Sequence, residues 1–175
     1  MFRWLRRQFG LLTREEFLED HRKMVEAIPE QEPGDPREDE WEFFAAAGYR
    51  LQTTDLDAYR EGCKQYSRAV VEMAAVLCYR SATQNSGHFG FFEAAGPTWP
   101  DAIAGLERLD CTEAIAILRE AIRRAGVTET SSRKDYLALF DADLDFDDLD
   151  SRLWALDDAI GEAMRREFTE RPLTP

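Results

Sequence analysis

The sequence predicts an all-α fold, a single compact bundle-like domain of about seven to nine helices. Three observations carry this expectation. Apolar residues recur at three- and four-residue steps along most of the chain, marking the inward stripes of amphipathic helices. Capping signals precede several of those stripes. Val, Ile and Thr are scattered, and no alternating apolar run is bounded by turn residues, so strand signals are missing.

Taken in chain order, Thr13 and Glu16 read as a capping box, each side chain satisfying a free backbone donor, and open a helix to about Ile28. The stretch PEQEPGDP, residues 29 to 36, then breaks the chain, because proline lacks an N–H and the freedom to continue a helix. It divides a basic helical segment and Pro-rich linker, 1–36, from a helical domain over 37–172. Asp35 and Pro36 read as N-cap and first position of a helix carrying Trp41, Phe43 and Phe44, which ends at Gly48. From Thr54 onward, Leu56, Tyr59, Cys63, Tyr66, Val70, Met73 and Leu77 form one stripe, predicting a single central core helix. Cys63 lies on that stripe and reads as a buried structural thiol. NSGHFGFFEAAGP, starting at Asn85, predicts a short buried helix with Gly96 as its cap. Thr98 to Asp101 opens another helix. Asp110 and Glu113 read as a second capping box, ahead of the stripe Ala114, Ile117, Leu118, Ala121 and Ile122 that ends at Gly126. Ser132 to Asp135 starts a helix through Phe140, and a final helix carries Leu149, Leu153, Leu156, Ile160, Met164 and Phe168 before Pro172.

Charge narrows the function. The net charge is −13 over 175 residues, so the surface as a whole repels nucleic acid, and direct DNA binding is not expected. The same field attracts a basic partner. The 3 cysteines, Cys63, Cys78 and Cys111, include no CxxC pair and suit a reducing, cytoplasmic setting. The start, MFRWLRRQFGLLTREEF, is basic before Glu15 and could touch an anionic membrane or pack on the domain; its arginines interrupt every apolar run, so it has no signal-peptide core. No stretch approaches the ~18 apolar residues of a membrane span.

The run DADLDFDDLD, 141 to 150, invites a test for calcium. Asp141, Asp143 and Asp145 take the first ligand positions of an EF-hand, but Phe146 stands where the sharp turn needs Gly and Arg152 where a bidentate Glu belongs. Shifting the frame to Asp143 puts Trp154 at that last position, so the motif fails again. His21 and His88 lie in separate segments without metal-ligand spacing, and His88, among aromatics, reads as a hydrogen-bonded core or rim residue. Nucleophile-elbow and P-loop motifs are missing. Asp157 and Asp158 are adjacent in a helix and diverge by ~100°, which does not make an acid/base pair. No catalytic residue, cofactor site or metal site is expected.

The charge pattern itself remains. From Asp135 to Asp158 there are 9 Asp, no Glu and 1 base, Arg152. Near a helix N-terminus such anions gain ~0.3 to 1 kcal/mol each from the helix dipole. Carboxylates one helical turn apart stand ~5 to 6 Å apart at Cβ, so a row of them can present a phosphate-like array to a basic protein. The candidate partner-binding residues are Asp141, Asp143, Asp145, Asp147, Asp148, Asp150, Asp157 and Asp158.

The stretch from Asn85 to Ile122, with Asn85, Gly87, Phe91 and Phe92 and the blocks Ala102 to Leu109 and Ala114 to Ala121, resembles the DNA-mimic protein nineteen family. The closing stretch from Phe146 to Pro172 is similar to that family's last helix, so the likeness spans about residues 55 to 172. Ser86, His88, Gly90 and Ala94 depart from the motif, at positions where the family has Gly, Phe, commonly Gln and commonly Asn. The resemblance implies an all-α fold, no cofactor, and an acidic surface that occupies the basic face of a DNA-binding protein. The expectation is therefore a non-enzymatic binding module for a DNA-binding protein or transcription factor. Two alternatives stay open: an immunity-type inhibitor of a bacterial toxin, and a small hydrolase or metal-binding protein using the loop around Asn85 and His88. A homodimer is also left open.

Overall fold

The computed structural model describes residues 51–170, with side chains through Glu167. These residues lie in the unit Pro33–Pro175. The expected helices at 13–28 and 36–48, the linker between them and the stop at Pro172 lie outside the described residues. Among the described residues there are seven α-helices and two 3-10 turns, and no strand. The helices are α1 (Leu56–Cys63), α2 (Arg68–Ala95), α3 (Trp99–Arg108), α4 (Thr112–Ala125), α5 (Arg133–Ala138), α6 (Asp147–Trp154) and α7 (Asp157–Glu170). The all-α expectation holds.

The stripe from Leu56 to Leu77 is two helices, not one. Asp55 caps α1 by accepting the Ala58 N–H at 2.9 Å. The chain then turns through Lys64 to Ser67, and extended backbone at Ser67 starts α2. Tyr66, in that turn, still packs against the core, so the apolar spacing runs on across the break. The same masking joins α6 and α7 in the sequence: Leu156 sits in the turn between them and keeps the stripe in register.

Helix α2 is the spine of the core, and it is kinked. Ser86 and Gly87 leave the helical region, with Gly87 at φ 64 and ψ −167, a conformation that L side chains rarely adopt. Thr83, one turn earlier, has its carbonyl bonded by the Trp154 indole N–H at 3.2 Å, an outside donor where the helix ladder is interrupted. Past the kink, residues 88 to 95 are the expected buried turns, but they continue α2 rather than form a separate helix. Gly96 is right-handed, at φ −44, and begins the 3-10 turn Gly96–Thr98, so it is not a left-handed cap. Its lack of a side chain makes room for the Tyr136 ring, which a Cβ would approach to 2.7 Å.

The second expected capping box does not form. Asp110 has φ 57, and Cys111 precedes α4 without a side-chain cap. The Cys111 N–H reaches back to the Leu106 carbonyl at 2.9 Å and the Asp110 N–H to Glu107 at 3.1 Å, the paired bonds of a Schellman ending. Asp110 is thus used in closing α3, and its left-handed backbone rules out the extended geometry of an N-cap. Gly126, at φ 66, caps α4 as expected. Helix α5 starts at Ser132, whose N–H donates to Asp135 at 2.7 Å, and ends before the 3-10 turn Leu139–Asp141 rather than running through Phe140.

The core is aromatic at its centre. Tyr79, Phe91, Phe92, Tyr136 and Phe146 are fully buried, with Leu106, Ile117, Leu118, Leu149 and Met164 packed around them. Each such side chain contributes ~1.5–3 kcal/mol of transfer free energy. Buried charges fasten the helices to one another. Glu72 on α2 accepts from Arg68 at 2.8 Å and from Arg108 on α3 at 2.8 Å. Arg80 on α2 forks onto Asp157 of α7 at 2.7 and 2.8 Å, with its side chain only 12% exposed. Among the described residues, no helix is long and apolar enough to cross a membrane.

Candidate functional site

The acidic run occupies the end of the 3-10 turn, an irregular stretch and the first turn of α6. In the irregular part Leu144 is half-buried and Phe146 buried, while Asp143 and Asp145 are exposed. The Leu144 N–H donates back to the Ala142 carbonyl at 2.9 Å, so the chain turns tightly at Asp143 while Leu144 and Phe146 pack on the core. Asp141, Asp147 and Asp148 are exposed as well. Asp145 also has a local task, accepting the Asp147 N–H at 2.8 Å and so starting α6.

Arg124, at the end of α4, holds the far side of this loop. Its guanidinium donates to Asp148 at 2.5 and 2.9 Å and to the Asp145 carbonyl at 3.0 Å, while its Nε reaches Glu120 at 3.0 Å. Hydrogen bonds from Arg124 hold the Asp148 carboxyl below its ordinary range. Glu120, bonded by Arg123 and then Arg124, is drawn down to about 2.

The remaining candidates divide. Asp158 is exposed on α7. Asp157 is taken up by Arg80. Asp150 turns inward, with its side chain 13% exposed, and accepts the His88 backbone N–H at 2.9 Å and also contacts the imidazole Nδ1. His88 is fully buried, and its Nε2 lies 2.9 Å from the Tyr79 hydroxyl. With the proton on Nδ1, the ring donates to Asp150 and accepts from Tyr79, so both ring nitrogens and the Tyr79 hydroxyl are satisfied. Burial first, and then the Asp150 charge, push the Tyr79 hydroxyl well up, which keeps it a donor. The imidazole has no open face toward a substrate, so in this arrangement it joins α2 to α6 and does not present a base.

Of the motif residues, Gly87 serves the same joint. Gly87 brings the backbone against Asp150, where a Cβ would stand 2.2 Å from Oδ2. Phe91 and Phe92 are fully buried. Asn85 is exposed and donates to the Ser81 carbonyl at 2.8 Å, so it caps no helix N-terminus. Ser86 is exposed, Gly90 buried and Ala94 half-buried. Among the described residues, no cluster of three His, Cys, Asp or Glu side chains is placed to hold a metal. Elsewhere, a groove of about 530 Å³ runs between the α3–α4 turn and α7, floored by Ala114, Ile160 and Ala163.

Sequence reasoning missed Arg124, Arg80 and Tyr79, whose partners lie far along the chain; spacing within one element carries no signal for such contacts. The fold and site together define an all-α module with an acidic exposed loop. Residues 64–171 match the family model of the DMP19-like protein, and the chain belongs to that family. Neither a curated protein nor a solved structure matches it.

Proposed function

We propose that this chain is a non-enzymatic, cytoplasmic binding module whose acidic loop covers the basic face of a DNA-binding protein. The observation that supports this reading is the set of exposed carboxylates at Asp141, Asp143, Asp145, Asp147 and Asp148, within a chain of net charge −13. Membership in a DMP19-like family points the same way. Asp150 and Asp157 belong to the interior joints, and Asp158 lies on a separate helix, so the recognition surface centres on the loop.

The test begins with capture from native lysate using the whole chain. A DNA-binding protein is expected, displaced by duplex DNA. Changing Asp141, Asp143, Asp145 and Asp147 together to Asn should weaken that complex by about tenfold or more and flatten its salt dependence. Equal affinity of the folded Asn variant at low salt would sink the reading, and capture of a cognate toxin would redirect it toward immunity.

A further inference from the structure

Next to the acidic loop the chain leaves two large apolar side chains in solvent, Leu137 at 42% and Phe140 at 51% exposed. Their neighbours Tyr136 and Leu139 are buried, so the segment is two-sided, with one apolar pair facing the core and the other facing out. Phe140 is not a loose ring. It packs on the half-buried Phe89 at 5.7 Å and 31°, Phe89 meets Phe146 edge-on at 4.8 Å, and Phe146 lies 6.0 Å from Phe92 in the core. Phe140 is therefore the outer end of an aromatic stack rooted in the fold, and Asp141 and Asp143, one and three residues on, are exposed acids.

We propose that Leu137 and Phe140 form a docking anchor for a cationic amphipathic helix of the partner, whose apolar side chains cover the two residues while its Lys and Arg side chains meet Asp141, Asp143 and Asp145. This rests on the acidic-loop reading above and adds to it the partner's shape and chemistry. The argument is one of complementarity. A purely cationic surface would neutralise the loop and leave the ring in water, whereas a helix with basic and apolar positions one turn apart satisfies both. A supported aromatic inside a charged rim is also the usual arrangement of an interface hot spot, because little rotamer freedom is lost when it is covered.

Two labelled probes separate the contributions: a synthetic amphipathic Lys/Leu helix and an oligolysine of equal charge, each titrated against the whole chain by fluorescence anisotropy at ~0.15 M salt. The amphipathic helix should bind about tenfold or more tighter than oligolysine. The double variant Leu137→Ala/Phe140→Ala should lose that excess and keep its oligolysine affinity; both side chains are exposed, and circular dichroism confirms that the variant is folded. Equal binding of the two probes, or a preference that survives the double variant, overturns the anchor. If oligolysine binding then still falls in the four-Asn variant, the acidic-loop reading stands without it. If neither probe binds the parent chain, both readings fail together.

Discussion

Asp143 and Asp150 belong to one acidic run, yet Asp143 lies exposed before α6 while Asp150 is enclosed against His88 and Gly87. The difference lies in what faces each carboxylate. Asp150 meets a backbone N–H and an imidazole at the kink of α2, so its charge is spent on holding two helices together. Asp143 meets water, and its charge is available to a partner. Counting acids in a sequence treats the two alike; only the exposed set can act at a distance on another protein.

The comparison breaks most easily at Asp150. Replacing it with Ala leaves the buried His88 N–H groups unpaired and should cost ~2–4 kcal/mol, seen as a lower urea midpoint. A loss under ~1 kcal/mol would mean that the joint is dispensable. Gly87→Ala should follow at ~2 kcal/mol, because the left-handed backbone and the Asp150 carboxylate both oppose a Cβ. A variant as stable as the parent would show that the kink relaxes freely.

Arg124→Gln probes the boundary between the two sets, with a smaller drop in midpoint. Its sign with pH is fixed by its partners. Glu120 and Asp148 have lowered carboxyl values, so the stability that they contribute is present above the unfolded value, 4.5 for Glu120, and is lost as pH falls through the folded one, about 2. The gap between parent and variant should therefore be open at neutral pH and close toward pH 2. A gap that widens in acid would contradict the assignment. The smallest effect belongs to the four-Asn variant, whose stability should stay within ~0.5 kcal/mol of the parent. A larger loss would place those carboxylates among the structural ones.

Local signals made much of the helix content legible. Ser132 starts α5 and Gly126 ends α4, each for a reason contained in a few adjacent residues. Breaks that keep the apolar register were hidden, as at Ser67 and Leu156, because the stripe is blind to a turn that returns its side chains to the core. Asp110 shows a different failure: the residue had two competing uses, and closing α3 won. At the candidate site the acids were visible but their division was not, since His88 and Arg80 lie 62 and 77 positions from the carboxylates that they hold.

The acidic loop is pinned at both ends. Leu139 before it and Phe146 after it are sunk in the core, and Arg124 grips the Asp145 carbonyl and the Asp148 carboxylate. Ordering a free backbone costs ~1–2 kcal/mol per residue, a cost that a disordered acidic tail would meet only on binding. Here it is met when the chain folds, so the proposed partner would meet a preformed template, and more of the contact energy would remain as affinity.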